Sequence, residues 1–572
     1  MLKPCAVLPH GTGGRPVDKG PCFERNIRAL AARDPQLCAR LSAAVTTNNR
    51  YRFQQSASGE LIPALIDQSG SARPLHSMVD PRKEAERLVA TLDNNFVVFL
   101  GLGAGMVQEA ALGSGSVPNA LVIEFDIDGL AELLCARDYV AVLGDSRCTL
   151  LVDPTPDTIE SAIFDRYYPA LCGGIKMLPL RARTEMDKTH FAMASGVVQG
   201  TIEKLSSDYS VQAHFGMRWF ANIIRNLPVA GEQSHSVPAI REAAICAAGP
   251  SLDMQIPSLL EQRLAGQRPF IISTDTALPA LLHQGLQPDA VVSIDCQHIS
   301  HLHFIGTACR DIPLFLDLAS PPLVSRFSAR PVFFSGGHPL AVYISQHWRA
   351  FPLLDTSGGN VTYACLSLAE GLGARRITVY GADFSYPGGK VYARGTYIFR
   401  YFEQRQERRS PLEAQFFTFL CRSPFIPSEA AGSNYRETAQ LRSYRKRFEE
   451  KASCMEAEIT AAPGRGVPLA LCAKAHVHGT GSSAADFCAP GKAKVGAGQF
   501  LEQYRRDIAG LPTPAANVGA YLQKLTDVQR RILLTLLPQA AAVRHRQPTL
   551  AGGDIISEVK RYCVNEIDRV LG

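Results

Sequence analysis

The 572-residue chain has fifteen cysteines but no C-x-x-C pair, no G-x-x-x-x-G-K-[ST] loop, no G-x-S-x-G turn and no H-E-x-x-H helix. Each absence removes a class of chemistry: paired thiols for zinc or redox work, a lysine-bearing phosphate loop for ATP, a serine nucleophile on a strand-to-helix elbow, and helical zinc hydrolysis. The cysteines stand mostly alone in apolar stretches such as AAICAAG and TYACLSLA, as reduced core residues do. No apolar run approaches the roughly 20 residues of a membrane span, and MLKPCAVLPHGTGGRP at the start holds no signal-peptide core. The expected location is therefore the cytoplasm. Charge of one sign is scarce too: 59 basic against 53 acidic residues leave +6, which gives no reason to expect nucleic acid as a partner. HISHLHF places His298, His301 and His303 together, but their spacing is not the i, i+4 pair of a helical metal site, so no metal is expected.

What is present is a globular composition, 46% hydrophobic and 20% charged, on a chain too long for one core. Three parts are expected: an N-terminal α/β domain with a Rossmann-like unit over 1–235, a central parallel-sheet domain over 236–430, and a helical C-terminal domain over 431–572 with a flexible loop near 476–498. Alternation over 51–79 predicts hairpins, followed by a helix from Asp80-Pro81. NNFVVFLGLGAGMVQEAA then reads as strand, glycine turn (Gly101, Gly103, Gly105) and helix. ALVIEFD follows as a second strand ending at Glu124, where a Rossmann unit keeps its ribose-binding acid. Met106 stands where the third glycine of G-x-G-x-x-G belongs, so a structural role for this turn is favoured over a cofactor site.

From 236 to 385 strands alternate with helices: AAICAAG, RPFIIST, DAVVSID, IPLFLDL, RPVFFSG, FPLLDTS and RRITVYGADF. Gly249 with Ser251, Thr274 with Asp275, Asp295, Ser335 with Gly336, Thr356 with Ser357 and Gly358, and Asp383 all fall at or just past the ends of these runs. In an open parallel sheet those ends share one edge, where ligands bind. Small and acidic residues are also ordinary turn formers and N-caps, which suffices for any single position. Their recurrence after six strands points to a site. After 400, RYFEQRQERR is strongly charged, and Leu441, Tyr444 and Phe448 in AQLRSYRKRFEEKASCMEAEI repeat at helical spacing.

GPSLD, STDTALPALLHQGLQPDAVVSID and LDTSGGNVTYACLSLAEGLGARRITVYGADFSYPGGKVY together resemble the central domain of the Maf (motility-associated factor) flagellin glycosyltransferases. That domain is grouped with the MptE-like 6-hydroxymethylpterin diphosphokinase domain, also labelled DUF115, and is similar to bacterial sialyltransferases that use CMP-activated sugars. PLHSMVDPRKEAERL and the GLGAG/VIEFD pair resemble the N-terminal half of the same proteins. The resemblance implies a sugar-nucleotide site in which Gly249, Pro250 and Ser251 meet the phosphate and Thr274, Asp275 and Asp295 line the pocket. Ser335 and Gly336 belong to the same edge, and the Thr356-Ser357-Gly358 turn would face the anionic donor. Tyr386 and Tyr392 occupy places like those of two sialyltransferase tyrosines that steady the departing CMP phosphate.

The resemblance also implies transfer of a nonulosonic acid of the pseudaminic, legionaminic or sialic type from CMP to Ser or Thr of flagellin, with no further cofactor. The sialyltransferase histidine base has no counterpart, because no histidine lies between His347 and His476. Asp295, Asp383 or a member of the 298–303 cluster is left to take the acceptor's proton. Two other readings stand beside this one: a pterin diphosphokinase using ATP and Mg²⁺ held by Asp275 and Asp295, and a non-catalytic flagellin-binding or assembly factor.

Overall fold

Runs of four or five apolar residues closed by Gly, Ser, Thr or Asp do become strands in this chain. The computed structural model describes residues 19–46, 50–67, 69–233, 237–307, 309–427, 434–471, 491–514 and 518–572. Two compact units share the chain: Met1–Gly216 with Gly510–Leu533 and Leu537–Lys560, and Met217–Ala509 with Leu534–Leu536 and Arg561–Gly572.

The first unit opens with two helices, Gly20–Ala31 and Pro35–Ala43, and an antiparallel three-stranded meander, β1 Tyr51–Gln55, β2 Leu61–Ile66 and β3 Ala72–Pro74. The helix that follows, Pro81–Val89, begins where its sequence says it should, with the Asp80 carboxylate accepting from the Lys83 N–H and Pro81 in the first turn. A parallel sheet is built from β4 Phe96–Leu100, β5 Ala120–Glu124, β6 Cys148–Val152 and β7 Ile175–Pro179, in the order β6-β5-β4-β7. Alternate residues feed opposite cores. Val97, Phe99 and Val122 face one, while Phe96, Val98 and Ile123 face the other with Phe191 and Val198 of the helix Lys188–Glu232.

The second unit holds a seven-stranded parallel sheet: β8 Glu242–Cys246, β9 Phe270–Thr274, β10 Ala290–Ser293, β11 Leu314–Asp317, β12 Pro331–Phe334, β13 Arg376–Tyr380 and β17 Glu458–Ala461. Their order is β12-β11-β10-β9-β8-β13-β17. The chain walks outward from β8 to β12, then returns to the other side of β8, so the winding direction switches between β8 and β13. Helices Val361–Gly371 and Ala439–Cys454 cover one face through Leu366, Leu368 and Phe448, and helices Leu252–Leu264 and Leu278–His283 cover the other through Ile256, Leu259 and Leu281. A small antiparallel sheet of β14 Tyr386–Pro387, β15 Phe425–Ile426 and β16 Tyr435–Thr438 lies beyond β13 in sequence.

One local expectation needs correction. FPLLDTS is no strand of the ladder: Leu353 makes one isolated bridge to Ser335, because Pro352 has no N–H to continue a pairing. Within AQLRSYRKRFEEKASCMEAEI, Leu441, Tyr444 and Phe448 do lie on one helix, as their spacing predicts. That helix ends at Cys454, Met455 is extended, and Ile459 lies in β17 opposite Ile377. The helices Ala497–Ala509, Val518–Lys524, Asp527–Arg546 and Gly552–Leu571 give the helical C-terminal region that was expected. The loop expected near 476–498 falls, as far as residue 490, outside the described residues. The described cysteines are free thiols, most of them buried. Among the described residues no helix is long and apolar enough to cross a membrane.

Candidate functional site

The glycine turn of the first unit is filled from within. All three glycines have positive φ, 103° at Gly101, 55° at Gly103 and 77° at Gly105. A Cβ at Gly103 would strike His76 and Leu180, and one at Gly105 would lie 2.9 Å from Tyr139. The N–H of Leu102 donates to Glu124 (2.7 Å), that of Ala104 to His76 Nε2 (3.0 Å), and the Tyr139 hydroxyl to the Gly103 carbonyl (2.7 Å). Glu124 also pairs with Arg183 at 3.2 Å, both side chains almost fully buried. The acid that would hold a ribose thus serves its own turn. A cavity of about 1080 Å³ in this unit opens instead at the amino ends of β4 and β7, and Arg544 at its wall donates to the carbonyls of Ala170, Pro548 and Leu550. The ligand edge of a parallel sheet is the opposite one.

At the switch point of the second unit, Gly249 and Asp383 meet. The Gly249 N–H donates to the Gly381 carbonyl (2.9 Å), and a Cβ on Gly249 would overlap that oxygen and the Asp383 carboxylate. Asp383 accepts from the Ser251 N–H, and the Ser251 hydroxyl, 2% exposed overall, bridges Asp383 and the N–H of Arg465. An internal carboxylate therefore stands at the start of the helix Leu252–Leu264, the place an external phosphate would take. Burial raises the Asp383 carboxyl, against the hydrogen bonds from Ser251. Phe384, with φ 42°, carries the left-handed kink that turns the chain here, its ring packed on Phe448. A cavity of about 420 Å³ is lined by Asp383, β17 and Gly464.

The open part of the edge lies past β9, β10 and β12. Asp275 is held at both oxygens, by the Thr276 N–H (2.7 Å) and the Ser293 hydroxyl (2.7 Å). Thr274 is buried and caps the turn through the Ala277 N–H. Asp295 accepts from the Gln297 N–H at 2.8 Å. Burial raises its carboxyl, the nearby Asp275 charge adds to the rise, and the Gln297 N–H, His303 and Arg218 oppose it. Tyr397 is raised by burial and by the charges of both aspartates. Tyr392 is raised by burial and feels Tyr386, Tyr397, Asp275 and Tyr444. Tyr386, Tyr392 and Tyr397 pack on one apolar cluster, and the charges of Asp275 and Asp295 reach Tyr397.

Tyr444 lies beside the next turn, its ring edge 3.2 Å from where a Cβ on Gly359 would sit. There Asp355 accepts from the Tyr363 hydroxyl (2.7 Å), Asn360 caps the helix Val361–Gly371, and the Ser357 carbonyl accepts from Arg447 (3.1 Å). Under this turn lie Gly336, whose absent side chain leaves room for the Asp317 carboxylate, and Ser335, whose buried hydroxyl has no hydrogen-bond partner among the described residues. Desolvation pushes Asp317 up to about 6.

Of the residues picked from sequence, Gly249, Ser251 and Asp383 are packed together, Thr274, Asp275, Ser335 and Gly358 are buried, and an open set of Asp295, Gly336, Thr356, Ser357, Tyr386 and Tyr392 keeps exposed surface, as does Pro250. Tyr397, Tyr444 and Arg447 join the open set only through the fold. Their one sequence signal was the aromatic and basic density after 390. No cluster of His, Cys, Asp and Glu suited to a metal ion occurs among the described residues.

Residues 221–389 match the family described as 6-hydroxymethylpterin diphosphokinase MptE-like. An uncharacterized protein of Treponema pallidum (strain Nichols) is 43% identical over 119 residues, 21% of this chain and 42% of its own length, so the chain spans less than half of that relative. A second from the same organism is 29% identical over 172 residues, 29% of this chain and 80% of its own length. The solved structure of the MAf glycosyltransferase from Magnetospirillum magneticum AMB-1 superposes with a TM-score of 0.56 at 13% identity, covering 96% of this chain and 94% of that one. Residues 221–389 are therefore an MptE-like segment, and they sit in a chain with the fold of a Maf glycosyltransferase, the family its sequence resembles.

Proposed function

We propose that the chain is a glycosyltransferase that moves a nonulosonic acid from a CMP donor to Ser or Thr hydroxyls of flagellin. One observation carries the reading: Tyr386, Tyr392 and Tyr397 gather with Asp275 and Asp295 at the carboxyl edge of a sheet whose chain has a Maf glycosyltransferase fold. Phenol hydroxyls are donors fit for a phosphate that gains charge as the glycosidic bond breaks, and Tyr392 and Tyr386 have that task. The Thr356–Gly359 turn and Arg447 hold the donor's anionic groups, since Gly249–Ser251 already has a carboxylate. Asp275, fixed at both oxygens, shapes the pocket.

The test is CMP release from CMP-activated sialic, pseudaminic and legionaminic acids with flagellin from the same genome, together with flagellin mass in a deletion strain. Release of CMP and a flagellin lighter by the glycan in the deletion strain support the reading. The MptE-like match of 221–389 favours one rival. AMP release from ATP with 6-hydroxymethylpterin, and none from CMP-sugars, would replace glycosyl transfer by diphosphokinase chemistry.

A further inference from the structure

Of the three histidines in the 3₁₀ turn His298–His303, two are occupied with each other. The rings of His298 and His301 lie 4.6 Å apart, and His301 Nδ1 is 2.5 Å from the His298 carbonyl oxygen. His303 faces Tyr397 and Asp295 instead. Its ring packs edge-on against Tyr397, centroids 4.6 Å apart at 80°, and a positive charge on it would lower the Asp295 carboxyl. Its Nδ1 is buried and has no hydrogen-bond partner among the described residues. A buried N–H without an acceptor forfeits a hydrogen bond, whereas a bare lone pair forfeits less, so the neutral ring carries its proton on Nε2 and leaves Nδ1 as a base. Buried polar atoms are rarely left so, and a hydroxyl arriving in the crevice supplies the missing donor. The two aspartates are less available: both oxygens of Asp275 and one of Asp295 already accept hydrogen bonds.

We propose that His303 takes the proton of the acceptor hydroxyl on Nδ1, with Asp295 balancing the imidazolium that forms; this role rests on the glycosyl-transfer reading above. The acceptor O–H bond breaks, its proton goes to Nδ1, and its electron pair makes the new bond to the anomeric carbon. The bond from that carbon to the phosphate oxygen breaks, and CMP leaves with the pair. The imidazolium then returns its proton to water. For the hydroxyl to reach Nδ1 the Tyr397 ring packed on His303 has to shift, which a half-buried side chain at the first residue of the helix Tyr397–Glu403 can do.

The experiment compares wild-type protein with His303→Ala and His303→Gln, reading CMP release from the CMP-sugars above in the presence of flagellin, and CMP affinity by calorimetry. Turnover is expected to fall about 100- to 10,000-fold in both variants. CMP affinity should stay within about twofold, and added imidazole should restore part of the His303→Ala rate only. Turnover within about threefold of wild type in either folded variant overturns the role. Should His303→Ala not fold, His303→Gln, closer in size, decides by itself. If wild-type protein neither binds CMP nor releases it from any CMP-sugar, glycosyl transfer itself fails and this role with it; an active wild type with undiminished variants defeats His303 alone.

Discussion

The Asp383 carboxylate accepts hydrogen bonds from both the N–H (2.8 Å) and the hydroxyl (2.5 Å) of Ser251, on the residue that precedes the helix Leu252–Leu264. A turn that looks ready for a phosphate has been given an anion by the next strand. Ser251→Ala removes one donor to a buried carboxylate and strands the Arg465 N–H. The expected loss is about 1.5–3 kcal/mol of stability, read as a lower thermal midpoint, with CMP affinity unchanged. An unaltered midpoint combined with weak CMP binding would return the phosphate to this turn.

The Glu124–Arg183 pair sits under the glycine turn of the first unit with side chains 3% and 5% exposed. Burial raises the Glu124 carboxyl despite Arg183 and the Leu102 N–H, so the pair depends on both partners. Glu124→Gln leaves Arg183 without its buried counter-charge at Glu124, and the unit should lose about 3–5 kcal/mol. Denaturant unfolding should show an earlier first transition while CMP release by folded protein is spared. A folded variant of normal stability that no longer uses donor would make Glu124 a ligand residue.

Asp317 gives a pH signature. Its carboxyl accepts from the Ala319 and Gly336 N–H groups, yet desolvation dominates and lifts it from 3.8 to about 6. A carboxyl that is easier to protonate folded than unfolded favours folding when protonated. Its favourable contribution is complete below pH 3.8 and is lost as pH rises through about 6. Asp317→Asn removes the titration, so its stability relative to wild type should improve from pH 4 to pH 7 by up to about 3 kcal/mol. Parallel stability curves over that window would refute the raised carboxyl.

The sheet was legible because burial on both faces writes each strand as a short apolar run, and its end as a change to Gly, Ser, Thr or Asp. β17 was not. Glu458–Ala461 is an edge strand of four residues with only Ile459 buried, too short to set a period after a helix that stops four residues earlier. The ligand edge could be read, but which of its turns stay open could not, since Ser251 and Asp383 are 132 positions apart and their hydrogen bonds exist only once β13 returns beside β8. His303, Tyr397 and Tyr444 converge for the same reason, from a 3₁₀ turn between β10 and β11 and two helices of the long connection between β13 and β17. The filled glycine turn was partly legible. Met106 in place of the third glycine argued for packing, and His76 and Tyr139 do fill the space.

Arg447 tests where the donor's charge rests. Its guanidinium reaches the Ser357 carbonyl beside Gly359, it is exposed, and no ion pair with a carboxylate is present among the described residues. A cation so placed has donors to offer a phosphate or sugar carboxylate, in a fork that a lysine does not reproduce. Because the group is exposed, water and salt screen it, and Arg447→Ala should weaken CMP about 3- to 10-fold at low salt, less as salt rises. Arg447→Lys should recover the salt dependence but only part of the affinity. The thermal midpoint should not move in either variant, since surface charges of this kind contribute about 0–1 kcal/mol to folding. Calorimetric titration with CMP at two salt concentrations decides it: equal affinity for wild type and Arg447→Ala at low salt would take the phosphate away from the Thr356–Gly359 turn.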